Sequence, residues 1–283
     1  MRHLVQQKNC SERRACRIVR LPRATVRYTA KPRTDTALVE RLTQIANKHP
    51  RFGYRRAWAS LRRQGEFFSC VNHKRVHRLW KRHGLSVKVK TKCKRVDLPK
   101  QERPHSTDKP NHIWCVDFVQ DATVTGRTLR MLTVTDECTR QSLAIHVGLS
   151  VTAQTVASVL EQVIAKCGAP AYLRSDNGPE FVALALRGFL HRSGVQTAYI
   201  DKGSPWQNGF AESFHSRFRD EFLNGEVFLS LIDAQVRVEQ WRRWYNTERP
   251  HSSLGYQTPN EFADAWSAKA EQKAARTNVA SGT

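Results

Sequence analysis

Three acidic residues stand where the surrounding sequence gives a carboxylate something to do. Asp117 sits in the middle of HIWCVDFVQ (112–120), among Trp114, Val116, Phe118 and Val119. Asp176 ends an apolar run and is followed at once by Asn177-Gly178-Pro179, a break that holds an acid out on a turn. Glu212 belongs to NGFAESFHSRFRDEFLN (208–224), whose pattern is helical. At about 100° per residue Phe210, Phe214, Phe218 and Phe222 make one stripe, and Glu212 points roughly 140° from its centre, with Ser216 and Arg219 on the acid's side. Burying a strand-centred carboxylate without a partner is costly, so Asp117 is the hardest of the three to read as ornament. Acids that converge repel one another and need a counter-charge, and an all-oxygen set suits Mg²⁺ or Mn²⁺. Two such ions about 3.5–4 Å apart can activate a water or a 3′-hydroxyl and stabilise the leaving oxygen of a phosphodiester. No nucleophilic serine or histidine is then required. Asp121 and Asp136 read as turn or solvent acids, and Glu180 and Glu221 as helix-end or surface acids.

The elements that must position these groups follow from periodicity. Residues 112–120 alternate as a strand does, TVTGRTL turns at Gly126-Arg127, and RMLTVTD and SLAIHVGL supply two more strands. A helix over 152–168 puts Val156, Val159, Leu160 and Val163 inward and stops at Gly168. AYLRSD is a fourth strand, 183–193 a helix, VQTAYI a fifth strand and 208–224 a helix. Three antiparallel strands followed by helix-strand alternation predict a mixed five-stranded α/β sheet. Asp117 and Asp176 then lie near the same end of neighbouring central strands, where sites in such sheets gather.

Charge points to the partner. The 283 residues carry 47 Lys and Arg against 25 Asp and Glu, a net of +22. Residues 1–100 hold 28 of the bases and 5 of the acids, so the entire excess sits in the first third. Such a block suits a polyanion, because cations that neutralise phosphates release condensed counterions. The charge is interleaved with helical patterning. SERRACRIVRLPRATVRY (11–28) reads as two short helices broken at Leu21-Pro22. A second unit has Leu38, Leu42, Ile45 and Ala46 on one face, then YRRAWASLRRQG with Ala57 and Leu61 inward and Arg55 and Arg56 as expected DNA contacts. NHKRVHRLWKRHG (72–84) begins at an Asn72 cap and ends at Gly84. Val76, Leu79 and Trp80 share one of its faces, while Lys74, Arg75, Arg78, Lys81 and Arg82 spread over the rest, as on a helix lying in a major groove.

The 7 cysteines are scattered and form no C-x-x-C pair, which excludes a disulfide framework and a thiolate zinc site. His73 and His77 read as helix-surface histidines. The N-terminus lacks the apolar core of a signal peptide and no apolar run is long enough for a span, so a reducing cytoplasmic setting without a membrane is expected.

The quoted motifs carry a resemblance. WCVDF, RSDNGPEF and SPWQNGFAESFHSRFRDEF resemble the two aspartate segments and the glutamate helix of bacterial insertion-sequence DDE transposases, specifically their second-reading-frame (OrfB-type) products with a retroviral-integrase-like core. The 35 residues between Asp176 and Glu212 match that family's D-35-E spacing, and Arg219 matches the basic residue seven places after the glutamate. RFGYRRAWASLRRQG, VNHKRVHRLWKRHGL and WYNTERPHSSLGYQTPNEFA resemble its helix-turn-helix and C-terminal segments. The resemblance implies an RNase H-like catalytic core preceded by an all-α helix-turn-helix region. The expected boundaries are 1–35 for a partial helix-turn-helix, 36–87 for a helix-turn-helix domain, 88–110 for a basic linker and 111–225 for the core. A helical extension over 226–266 and a disordered tail over 267–283 complete the chain.

The resemblance further implies that Asp117, Asp176 and Glu212 are catalytic ligands of two Mg²⁺ or Mn²⁺ ions. It implies cleavage and strand transfer at element ends and target DNA, with Arg219 near the scissile phosphate. Asn177, Gln207 and Asn208 would touch DNA from a tight turn and a mobile loop beside the site. Expected partners are terminal inverted repeats, target DNA, further copies of the chain in the DNA complex, and an upstream-frame product, since no heptad repeat precedes residue 36. The setting is the bacterial nucleoid. Two rival readings stand beside it: a DNA-binding regulator with a non-catalytic core, and a structure-specific nuclease of the RNase H type.

Overall fold

The computed structural model describes residues 10–29, 35–87, 109–201 and 205–280. By compactness the chain divides into two units, residues 1–40 and 41–283, with the division inside one helix. In the first unit, α1 (Glu12–Val19) is capped by Ser11, which accepts from the Arg14 amide, and α2 (Arg23–Arg27) follows Pro22. Arg27 holds Glu12 by two hydrogen bonds of 2.8 and 2.9 Å.

Helices α3 (Thr36–Lys48), α4 (Tyr54–Arg62), α5 (Glu66–Ser69) and α6 (His73–Arg82) form the helix-turn-helix region. Leu38, Leu42, Ile45, Ala57, Leu61, Val76, Leu79 and Trp80 are buried, as their spacing predicts. Asn72 caps α6 by accepting from the Lys74 amide, and Gly84 takes the left-handed φ of +67° that ends it. The basic linker expected at 88–110 lies outside the described residues but for Lys109 and Pro110.

The core is a five-stranded sheet of β1 (Ile113–Ala122), β2 (Thr128–Asp136), β3 (Ser142–Gly148), β4 (Tyr172–Ser175) and β5 (Gln196–Tyr199), in the order β3-β2-β1-β4-β5. β1, β2 and β3 pair antiparallel, while β4 and β5 add in parallel. This is the RNase H-like arrangement. α7 (Ala153–Cys167), α8 (Pro179–Val182) and α9 (Leu184–Arg192) pack one side of the sheet through Val156, Leu160, Val163, Phe181 and Leu186 on Trp114 and Val116. α10 (Gly209–Glu221) and α11 (Leu231–Thr247) cover the other side, where Phe214, Phe218, Phe222, Val238 and Trp241 meet Val119, Leu129 and Met131. Strand alternation places Asp117 on the Val119 side, toward α10.

Two findings differ from expectation. α12 runs over Pro259–Ala280, so the stretch read as a disordered tail is helical up to its last few residues. SAKAEQKAA is rich in Ala, Lys, Glu and Gln, which are strong helix formers even without an apolar stripe. Glu221, read as a surface acid, is buried at the end of α10 with its side chain 3% exposed. Arg249 grips it with two 2.6 Å hydrogen bonds and Arg56 of α4 pairs with the same carboxylate. Burial alone would raise this acid, but the Arg249 hydrogen bonds and both guanidinium charges hold it below its ordinary value. Arg51 with Asp220, Arg63 with Glu261, and His49 and Phe52 packed on Trp244 extend the same seam between the helix-turn-helix region and the core.

Candidate active site

The parallel pairing of β1 with β4 sets the position of the two aspartates. Cys115 pairs with Arg174, so Asp117 and Asp176, each two residues further on, stand side by side just beyond the carboxyl end of β4. Asp176 is fixed by its own turn, its Oδ1 accepting from the Gly178 amide at 3.0 Å. A Cβ on Gly178 would stand 3.0 Å from that oxygen, so this turn takes glycine readily and larger residues only by displacing the acid. Asn177 ties the turn to the end of β5, its Nδ2 donating to the Ile200 carbonyl at 2.8 Å. Glu180 is anchored to Arg130, whose guanidinium lies over the Phe118 ring.

Asp117 is half-buried and well supplied with partners. The Phe118 amide donates to its Oδ1 at 2.7 Å and Asn208 Nδ2 donates to its Oδ2 at 3.0 Å. Burial pushes its carboxyl up to about 6; the Phe118 amide opposes the rise, and the negative charges of Asp176 and Glu212 add to it. The three acids thus share one electrostatic neighbourhood. Glu212 enters from the first turn of α10 and is exposed, on the helix face away from the phenylalanine stripe.

Two supporting residues escaped the sequence pattern. His215 of α10 is mostly buried, with Nε2 2.8 Å from Thr133 Oγ1 and Nδ1 3.8 Å from Asp117 Oδ2. The Thr133 hydroxyl donates to the Asp117 carbonyl at 3.0 Å and so accepts from His215, which puts the ring proton on Nε2. Burial, with help from Arg219, lowers His215 to about 4, so the ring is neutral at ordinary pH. Arg174, two residues before Asp176, is buried against Glu137 at 2.6 Å and reaches the Gln207 carbonyl at 3.5 Å. A charged residue inside an otherwise apolar strand was the available signal for Arg174; for His215 it was a place three residues beyond Glu212.

Several expected DNA contacts take other roles. Gln207 and Asn208 are each only 4% exposed, within a 3₁₀ turn (Pro205–Asn208) that leads into α10, and do not face outward. Gln207 is consumed by Asp201, which it both accepts from and donates to at 2.8 Å, and Asn208 by Asp117. Arg56 is bound to Glu221. Arg55 and Arg219 are exposed, Arg219 donating one hydrogen bond to the Gln120 carbonyl at 3.0 Å. On α6, Lys74, Arg78, Lys81 and Arg82 are exposed and Arg75 half-buried. Asp136 makes the turn hydrogen bonds expected of it, to the amides of Cys138 and Thr139.

The donor set fits a hard cation. Three carboxylates offer oxygen only, their mutual repulsion is already registered in Asp117, and the neighbouring Asn208 Oδ1 is buried without a hydrogen-bond partner. Among the described residues no three acidic, histidine or cysteine side chains are gathered closely enough to hold an ion, so the acids are adjacent and not clasped.

The comparisons with known proteins bear on this geometry. The Integrase core domain family matches residues 107–205 and 193–259, and the HTH-like domain family matches residues 33–92. The chain is 40% identical over 271 residues to the 31.7 kDa protein of insertion element IS407 of Burkholderia multivorans, covering 95% of this chain and 96% of that one. It is 39% identical to the 39.2 kDa protein of insertion element IS476 of Xanthomonas euvesicatoria, over 93% of this chain and 75% of that one. Transposase InsD of insertion element IS2 of Escherichia coli is 28% identical over 81% of this chain and 78% of its own. Among solved structures, the HTLV-2 integrase catalytic core domain in complex with magnesium aligns at a TM-score of 0.44 and 18% identity, over 54% of this chain and 96% of that one. The chain belongs to the family of insertion-sequence transposases with an integrase core domain.

Proposed function

We propose that Asp117, Asp176 and Glu212 are the catalytic acids of a DNA cleavage and strand-transfer reaction at the ends of an insertion element and at its target. The observation that supports this reading is that the charges of Asp176 and Glu212, from the β4 turn and α10, act on Asp117 of β1 in a chain of this family. Mg²⁺ or Mn²⁺ held by these carboxylates, two ions per site, would supply the positive charge that activates a water or 3′-hydroxyl and stabilises the leaving oxygen. The chain's own residues do the positioning. Asn208 and the Phe118 amide fix the Asp117 carboxylate, the Gly178 amide fixes Asp176, and His215 stays neutral beside them, adding no charge of its own.

DNA is the substrate, drawn by the basic first third and held by the exposed cations of α6, with Arg219 near the scissile phosphate. Joining two element ends calls for more than one copy of the chain, and an upstream-frame product completes the active species. The reaction takes place on the bacterial nucleoid; no described helix is long and apolar enough to cross a membrane.

The test is incubation of the chain, alone and fused to its upstream-frame product, with duplexes spanning the gene's flanks and with Mg²⁺ or Mn²⁺. Nicks and joined ends mapping to terminal inverted repeats are expected. Binding without cleavage would move the assignment to a regulator, and cuts confined to RNA–DNA hybrids or junctions would move it to a nuclease.

A further inference from the structure

Apart from the acids, α10 borders a concavity of about 320 Å³. Ser213, Arg217 and Phe210 line it from α10, Arg140 from the β2–β3 turn, and Arg249 and Ser252 from the segment after α11. Its charge does not balance. Arg249 and Arg56, which also lines it, share the single carboxylate of Glu221, and Glu137, near Arg140, is already bound by Arg174. Arg140 lies over the Phe210 ring at 3.8 Å, and its Nη1 is buried with no hydrogen-bond partner among the described residues. Arg217 is exposed and enters no ion pair among them. His251 adds no charge, because burial and the neighbouring arginines lower it to about 2. Arg140 also holds a left-handed φ of +63°, rare for a residue with a Cβ and maintained here by the Asp136 turn.

A half-enclosed excess of guanidinium, with serine hydroxyls at its edge, is a site for a multidentate oxyanion. Helix geometry relates it to the acids: at about 100° per residue Ser213 and Arg217 lie about 100° and 140° around α10 from Glu212, and Arg217 stands about one and a half turns further along it. A strand held at Glu212 reaches the arginines within a few nucleotides only by curving around α10.

We propose that this pocket binds a backbone phosphate of the DNA strand processed at the three acids, a few nucleotides from the reacting phosphodiester, with Arg140 and Arg217 as its main ligands. The proposal rests on the DNA-processing reading above. It makes the β2–β3 turn and α10 part of the DNA grip, where a purely structural role would leave Arg140 and Arg217 without an anion.

The test is a fluorescence titration of a flank-derived duplex into the full chain over a range of salt, comparing wild type with Arg140→Gln, Arg217→Gln and the surface control Arg187→Gln. Loss of one phosphate contact should lower the magnitude of the slope of log K against log salt by about 0.9 in each pocket variant and leave the control unchanged. Duplexes bearing single neutral methylphosphonates supply the second readout: one position should weaken wild-type binding and have no further effect on the pocket variants. Thermal midpoints check that each variant is folded, and Arg217→Lys, which keeps the charge at an exposed position, should restore most of the slope.

Pocket variants that match wild type in slope and in methylphosphonate response would overturn the proposal while leaving DNA binding intact. Stabilisation of wild type by inorganic phosphate alone, lost in Arg140→Gln with the DNA slope unchanged, would reassign the pocket to a free anion. Absence of DNA binding in wild type would overturn the pocket and the DNA-processing reading together.

Discussion

Between pH 3.8 and about 6 the folded chain keeps on Asp117 a proton that the unfolded chain has already released. Protons bound in excess by the native state mean that stability falls as pH rises through this window, and the loss persists at pH 7. Asp117→Asn should therefore stabilise the chain at pH 7 by about 1–3 kcal/mol and by little at pH 3.5, read from denaturant midpoints at the two pH values. Mg²⁺ should raise the wild-type midpoint at pH 7 and leave that of the variant nearly unchanged. Equal pH dependence in both proteins would dissociate Asp117 from the acidic cluster. The three acids were legible in the sequence because each interrupts a local pattern: an apolar strand, a strand end, a phenylalanine stripe. Asn208 and His215 were not legible as supports, because their partners, Asp117 and Thr133, lie 91 and 82 residues away in the chain. The same distance explains why Gln207 and Asn208 read as loop residues open to DNA when their side-chain NH₂ groups are spent inside the protein.

At the scale of elements, α10 carries Glu212 near its start and Glu221 at its end, where the second acid fastens the helix to Arg249 and Arg56. Glu221 sits between Arg249 and Arg56, with side chains 3, 5 and 21% exposed. Removing one member of a buried pair leaves the others unmatched, so Glu221→Ala should cost about 3–5 kcal/mol in unfolding free energy. A cost under 1 kcal/mol would show that the cluster does not fasten α10. The folded Glu221 pKa is depressed, so its contribution is present above the ordinary 4.5 and is lost as pH falls toward and through the folded value. The strands and long helices were legible from period and caps: Thr152 caps α7, accepting from the Thr155 amide, and Gly168 ends it at a φ of +79°. The four-residue helices α5 and α8 were not, since so few residues cannot display a period. Glu221 was misread for a different reason, because its partners Arg249 and Arg56 lie 28 and 165 residues distant.

Across the whole molecule the basic excess of the first third sits apart in sequence from the acids, as the proposed division between holding DNA and cutting it requires. DNA affinity should fall steeply with salt, and Lys81→Gln and Arg82→Gln on α6 should each lower the magnitude of the log–log slope by about 1 if they meet phosphates. A slope unchanged by both would remove α6 from the DNA interface. The charge asymmetry and the mixed character of the sheet were legible in residue counts and patterns along the chain. The seating of the helix-turn-helix region on α10, α11 and α12 was not, because it rests on arginine–carboxylate pairs that local periodicity does not register.

Asp117, Asp176 and Glu212 are proposed to act together as a catalytic metal site. The most direct test of that role compares wild type with Glu212→Gln, both fused to the upstream-frame product, for Mg²⁺- or Mn²⁺-dependent nicking of a flank-derived duplex, with DNA binding measured in the same samples. Glu212 is exposed and has no ion-pair partner to lose among the described residues, so the variant should fold and bind DNA as wild type does. Cleavage that requires the cation in wild type and falls at least about a thousandfold in the variant, at matched binding, is the result this account predicts. Equal cleavage by the two proteins would contradict it.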